Sequence, residues 1–422
     1  MSTFVNRKDE LRELSELSKK RGLIVLYGRR RLGKTRLLIE WLKKKKGFYS
    51  QAIQATSQIQ IKQIYEDIQD LFDTNIIPKS WLEFFDLLDF TKKETILCID
   101  EFPYLAASDP SLPSIIQRWL DHRKNKTITL VLTGSSQRMM NDIFLNRNAP
   151  LYGRASRIIN IHPMAYSHFC EALKLKQQDK SAFILYSLVG GVPRYWEFIN
   201  KKYSIIKNTE ELFFDFSAYL ENEPFKLLSD EKIEGLTPIN ILEAIGRGAM
   251  RPSEIASRIG TKQTNLSRIL QVLQDMAIIK REISFGESER DSKKSIYKIV
   301  DPAIRFWYTI YSPHRSRWFN YSTAKKMELI TLHSSTVFED SFRALHRGSK
   351  RYWEKDIEFD FVDEKNKKEI IIYEVKFKTL SNTEKYHITN SLENNFNSSK
   401  LADKYKLAGY EIYDLSSLRI LQ

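Results

Sequence analysis

The chain has 422 residues, 42% of them hydrophobic, with 67 Lys and Arg against 53 Asp and Glu, a formal charge of +14. That composition excludes global disorder, the length allows roughly three domains, and the positive balance favours a polyanionic partner. Only Cys98 and Cys170 are present, so no disulfide framework is expected; the seven histidines lack zinc-type spacing, and no apolar run reaches the ~20 residues of a membrane helix.

The polar start, Met1 to Lys8, does not read as a signal peptide, and a cytoplasmic protein is expected. Phe4-Val5-Asn6-Arg7 leads into an amphipathic helix with Leu11, Leu14 and Leu17 on one stripe. This box either lies over an adenine, with Arg7 at the nucleotide, or simply docks the helix.

An apolar strand, Leu23 to Tyr27, runs into Gly28-Arg29-Arg30-Arg31-Leu32-Gly33-Lys34-Thr35 and then a helical pattern. Gly, four residues and Gly-Lys-Thr between a strand and a helix is the spacing of a phosphate-binding loop. Its backbone N–H groups wrap a phosphate, which requires the tight turns Gly28 and Gly33 permit, and the helix adds the positive end of its dipole. Lys34 is expected to reach the β and γ phosphates of ATP, and the Thr35 hydroxyl to coordinate Mg2+. The four lysines Lys43 to Lys46 before Gly47 read as a solvated helix end.

After a short strand (48–52) and two helical stretches, the second around Trp81 to Phe85, comes Thr95-Ile96-Leu97-Cys98-Ile99-Asp100-Glu101. An apolar run closed by two carboxylates suits a buried parallel strand ending at a phosphate site. There Asp100 would hold Mg2+ through water and Glu101 would orient the attacking water. A further strand, Ile128 to Thr133, ends in Gly134-Ser135-Ser136; Ser135, with Ser136 second, is the candidate to meet the γ-phosphate or that water. Arg154, just before a strand over 157–161, either senses hydrolysis or forms a structural ion pair.

Residues 163–235 read as helical, broken at Val189-Gly190-Gly191-Val192-Pro193, either a lid approaching the nucleotide or a plain turn. From 236 to 311 the pattern predicts a winged helix-turn-helix. Its third helix opens at Thr261 with Leu266, Ile269, Leu270, Leu273 and Met276 inward; Lys262, Gln263, Asn265, Arg268 and Gln271 face outward, able to touch bases and phosphates. Two alternating stretches, 279–285 and 295–300, flank a charged turn. Such a module either contacts DNA or packs between domains.

The last part, 312–422, carries Glu339 on a helix, Asp360 in Glu358-Phe359-Asp360-Phe361-Val362, and Glu374 and Lys376 in an apolar strand. Period two puts Glu374 and Lys376 on one face, and a hairpin brings Asp360 to it. Those three acids would bind Mg2+ while Lys376 stabilises phosphate charge or positions water; the alternative is an inactive domain of the same shape.

These motifs resemble the archaeal-type P-loop ATPases related to the AAA and STAND groups. The matching residues are Phe4 to Arg7, Gly28 to Thr35, Ile99 to Tyr104, Thr133-Gly134-Ser135, Leu151 to Arg154 and Gly190 to Pro193. The C-terminal end is similar to a restriction-endonuclease-like, PD-(D/E)xK-like domain; Phe359 stands where that motif has proline. The resemblance implies an α/β multidomain chain: ATPase domain 1–162 with a parallel sheet, helical lid 163–235, winged helix 236–311 and nuclease-like domain 312–422. It implies an ATPase using Mg2+ whose nucleotide state is coupled to binding or cleaving nucleic acid, DNA being the expected partner. The alternative is a STAND-like switch whose C-terminal half binds proteins and whose nuclease-like domain is inactive.

Overall fold

The computed structural model describes residues 4–73, 75–91, 93–123, 127–288 and 295–421. It divides into two compact units, one from Phe4 to Pro163 and one from Met164 onward.

The first unit is built on five strands: β1 (Leu23–Tyr27), β2 (Gly47–Gln51), β3 (Thr95–Asp100), β4 (Ile128–Gly134) and β5 (Ala155–Asn160). Their order is β2-β3-β4-β1-β5 and every pairing is parallel. All residues of β3 and β4 are buried, which explains why these stretches read as unbroken apolar runs rather than alternating ones. The helices Ser57–Asp67, Trp81–Phe90 and Leu112–His122 contribute Ile64, Phe84, Trp81 and Ile116 to a core shared with Leu97, Leu130 and Leu132. The register sets Tyr27 beside Gly134 and Ile99 beside Leu132, so the carboxyl ends of β1, β3 and β4 finish level with one another. In an open α/β sheet that edge is where ligands bind.

The second unit begins with helices Tyr166–Leu173 and Lys180–Val189. The small-residue break that follows has a packing reason: Gly190 sits at φ +59°, and a Cβ there would lie 2.9 Å from Pro302. Helices Thr237–Gly246, Pro252–Ile259 and Ser267–Asp275 precede the antiparallel pair β6 (Ile279–Ile283) and β7 (Ser295–Ile299). The third helix starts at Ser267, not at the expected Thr261. Gly260 ends the preceding helix in the left-handed region, Lys262 is extended, and a 3-10 turn occupies Gln263–Asn265. Leu266, Leu270, Leu273 and Met276 are buried as read, Ile269 is only partly so, and the five polar residues assigned outward are exposed. Most of the charged turn, residues 289–294, lies outside the described residues.

The long helix Thr323–Leu345 leads into β8 (Lys350–Glu354), β9 (Ile357–Asn366) and β10 (Glu369–Val375), then helix Asn382–Asn397 and β11 (Lys406–Tyr413). Sheet order is β11-β10-β9-β8, antiparallel except for β10 with β11. The expected hairpin is the central pair β9–β10; β8 and β11 are additions. The β6–β7 pair is tied to this sheet: the Phe285 N–H donates to the Arg351 carbonyl at 2.8 Å, and the Ser284 hydroxyl accepts from the Trp353 N–H at 3.1 Å. A charge network ties the same pair to the long helix. Asp340 accepts from Arg305 (2.6 Å) and Arg343 (2.5 Å), while Glu282 pairs with Arg343 (2.7 Å), Lys280 (2.6 Å) and Lys298 (3.4 Å).

Candidate functional site

The loop from Gly28 to Thr35 joins the end of β1 to the helix Lys34–Leu42. Gly28 takes φ +152°, and a Cβ there would meet the Ile161 carbonyl at 2.6 Å, so only glycine lets the loop pass this close. Gly33 at φ +86° caps the helix, and Arg31 is also left-handed at φ +69°. Lys34 is buried at 5% exposure, and its ammonium donates to the carbonyls of Gly28 (2.6 Å) and Arg29 (3.1 Å), spanning the mouth of the loop. Arg30 donates to the Tyr104 hydroxyl at 2.7 Å, while Arg29 is buried.

Arg7 meets the loop at its backbone. Its guanidinium is buried and donates to the Leu32 carbonyl (3.2 Å), the His162 carbonyl (2.8 Å) and Glu10 (2.8 Å), bracing the loop through its backbone. Asn6 and Arg7 both adopt left-handed backbone, at φ +57° and +63°, to make that approach.

Asp100, at the tip of β3, is 1% exposed and receives four hydrogen bonds. The Thr35 hydroxyl (2.5 Å) and Tyr49 hydroxyl (3.0 Å) donate to one oxygen; the Thr133 hydroxyl (2.5 Å) and Glu101 N–H (2.9 Å) donate to the other. Burial, then the Asp100 carboxylate, push the Tyr49 phenol up, so it stays a proton donor. Glu101 is a non-glycine residue at φ +56°, the kind of backbone outlier that clusters at functional sites. Its carboxylate accepts from the Ser135 hydroxyl (2.5 Å) and Ser135 N–H (3.3 Å), which fixes it against the tip of β4. Ser136 instead caps the short helix that follows, accepting from the Met139 N–H at 3.2 Å.

The structure thus brings Lys34, Thr35, Asp100, Glu101 and Ser135 together and leaves Arg154 out. Arg154 precedes β5, at the amino end of the sheet, where Ala155 is level with Leu23. Five strand residues separate that level from Gly28, about 16 Å. Its guanidinium forks onto Asp121 (3.0 and 3.2 Å) and donates to the Pro150 carbonyl at 3.1 Å, the ion-pair alternative of the sequence reading. In the sequence Tyr49 carries no signal of its own, and Thr133 has only a place in the Thr133-Gly134-Ser135 motif. Both come from strands neighbouring β3.

In the second unit, Glu339 comes from the long helix, Asp360 from β9, Glu374 from β10 and Lys376 just beyond it. The β9–β10 register pairs Tyr373 with Phe361, so Glu374 and Asp360 are the next residues along it. The Asp360 carboxylate accepts from the Val375 N–H at 2.7 Å. Glu374 pairs with Lys376, and Arg351 lies 3.8 Å from Glu339 and pairs with Glu358. Burial first, then Glu374 and Glu339, push Asp360 up to about 8; burial likewise raises Glu339 despite Arg351. Lys376, whose charge burial opposes, is held protonated by Glu374, Asp360 and Glu339. Among the described residues, no three His, Cys, Asp or Glu side chains are arranged as a metal ligand set, and no helix is long and apolar enough to cross a membrane.

Residues 4–198 match a family described as an ATPase domain predominantly from Archaea, and residues 307–388 match archaeal and bacterial proteins of unknown function. An uncharacterized protein of Methanocaldococcus jannaschii is 29% identical to this chain, covering 97% of it and 94% of its own length. An uncharacterized ATP-binding protein of the same organism is 53% identical over 45 residues, 10% of this chain and 76% of its own. Among solved structures, the Walker-type ATPase of Pyrococcus abyssi is similar with a TM-score of 0.53 at 21% identity, covering 73% of this chain and 96% of that one, a likeness of fold.

Proposed function

We propose that this chain, whose residues 4–198 form an archaeal-type P-loop ATPase domain, hydrolyses ATP with Mg2+ and uses its nucleotide state to govern nucleic-acid binding or cleavage by its C-terminal half. The carrying observation is the bond from Thr35 to Asp100 (2.5 Å) beside a lysine that spans a glycine-framed loop. Donors and acceptors there suit a magnesium nucleotide. The loop's N–H groups and Lys34 would bind the phosphates, Thr35 and Asp100 would hold Mg2+, and the metal would neutralise phosphate charge. Thr133 and Tyr49 hold the Asp100 carboxylate in place. Glu101, oriented by Ser135, would accept a proton from the attacking water. Arg154 is proposed as a structural residue at the far end of the sheet.

For the C-terminal half, three helices followed by an antiparallel pair support the winged-helix reading. Glu339, Asp360, Glu374 and Lys376, gathered from a helix and two strands, support a nuclease-like site. The crowding of Asp360 by Glu374 and Glu339 in a buried setting would be relieved by a divalent cation, which Asp360 and Glu374 would hold. Lys376 would then steady charge on a phosphodiester. The test is ATP hydrolysis measured with and without duplex DNA, repeated on Lys34→Ala. Magnesium-dependent turnover altered by DNA and lost in the variant is expected. Turnover indifferent to DNA, with DNA affinity indifferent to ATP, would sink the coupling and favour the switch that binds proteins.

A further inference from the structure

Two basic clefts flank the place where the β6 chain joins β8. One, of about 220 Å³, is lined by Lys280, Arg281, Arg343, Lys350 and Arg351. The other, of about 490 Å³, is lined by Arg251, Phe285, Trp353, Lys355, Lys400 and Lys404. The bond from Phe285 to Arg351 lies between them, so they are two ends of one seam. Its first end adjoins the acidic cluster, because Arg351 reaches Glu339 at 3.8 Å.

We infer that this seam is the track along which a nucleic-acid backbone lies beside the acidic cluster, with Lys355 and Lys404 gripping its phosphates. The inference rests on the nucleic-acid reading above. From Lys350 to Glu354 the strand runs about 13 Å, about four base-pair steps along a B-form duplex axis at 3.4 Å each, and Lys355 follows in a turn. Most cations along it are already committed: Lys280 and Arg343 to Glu282, Arg351 to Glu339 and Glu358, Lys400 to Glu354. Lys355 and Lys404 are exposed and form no ion pair among the described residues, so the chain itself gives them nothing to neutralise. Of the acids in the second cleft, Glu354 is ion-paired with Lys400 at 2.5 Å, whose charge offsets it; Glu287 is the other. Trp353 and Phe285 supply an apolar wall on which sugars or bases can lie. A small anion would fill one cleft; two clefts in line on one strand suit a polymer.

The test is fluorescence anisotropy of a labelled DNA duplex across a salt series with saturating MgATP. All arms carry Asp360→Asn to suppress cutting, with Lys355→Gln/Lys404→Gln set against Lys365→Gln/Lys367→Gln, two exposed lysines, one near the end of β9 and one on the β9–β10 turn. Losing two phosphate contacts should lower the salt slope by about 1.8, which is roughly thirtyfold in affinity at 0.15 M salt. The control pair should match the parent. Equal binding by seam and control variants would overturn the track while leaving nucleic-acid binding intact. No salt-dependent binding in any arm would overturn both.

Discussion

Replacing Thr133 by valine keeps the volume of a fully buried strand residue and removes one hydroxyl. That hydroxyl donates to Asp100 at 2.5 Å, and Asp100 is itself 1% exposed. A hydrogen bond to a buried charged group contributes about 1.5–3 kcal/mol. Three other donors, from Thr35, Tyr49 and the Glu101 amide, still hold the carboxylate, so the loss should fall near the lower end, about 2 kcal/mol. If half of it is expressed in turnover, kcat/KM for MgATP falls roughly fivefold. Thr133→Ser, which restores the donor, should recover most of it. Steady-state hydrolysis and urea unfolding of both variants, beside Lys34→Ala, separate the terms. Wild-type turnover by a Thr133→Val protein that has lost the expected stability would refute the reasoning, because Asp100 would then serve the fold and not the chemistry.

Gly28→Ala should abolish nucleotide binding by calorimetry, since its Cβ would press into the Ile161 carbonyl at 2.6 Å and displace the loop. Arg154→Ala removes a partly exposed ion pair with Asp121 and should change stability by under about 1 kcal/mol. ATP turnover should stay within about twofold of wild type; a hundredfold loss would place that arginine at a phosphate after all. Glu282 carries a pH signature. Burial opposes its charge, but Lys298, Lys280 and Arg343 outweigh that and hold it at about 2. Because its pKa is depressed on folding, its stabilisation is complete above the unfolded value near 4.5 and drains away as pH falls toward 2. The span is about 3 kcal/mol, and urea melts between pH 3 and 7 should show that slope in wild type and not in Glu282→Gln.

What the linear sequence discloses here is what local spacing can encode. The phosphate loop is eight contiguous residues between a strand and a helix, and β3 and β4 announce themselves as apolar runs because both faces are covered. The donors that aim Asp100 are different. Tyr49 and Thr133 matter only because β2 and β4 flank β3 in this register, and register is settled by packing across the sheet. The distance from Arg154 to the loop is hidden for the same reason: nearness in sequence to a strand's start says nothing until strand direction is known.

The same argument explains the least legible element, β8. Lys350-Arg351-Tyr352-Trp353-Glu354 lacks clean alternation because its charges face partners far away in sequence: Arg351 answers Glu339 and Glu358, Glu354 answers Lys400. A strand whose charges are satisfied by tertiary neighbours looks like a loop to any local rule. That edge strand also meets the preceding β6–β7 pair through Ser284 and Phe285, and the buried charges of Glu282 and Asp340 tie that pair to the long helix. Removing one partner from such a network costs about 3–5 kcal/mol, so β6, β8 and the long helix should yield together. Phosphates gripped along the seam would therefore bear on a rigid joint, and Glu339 and Asp360 would feel it through Arg351.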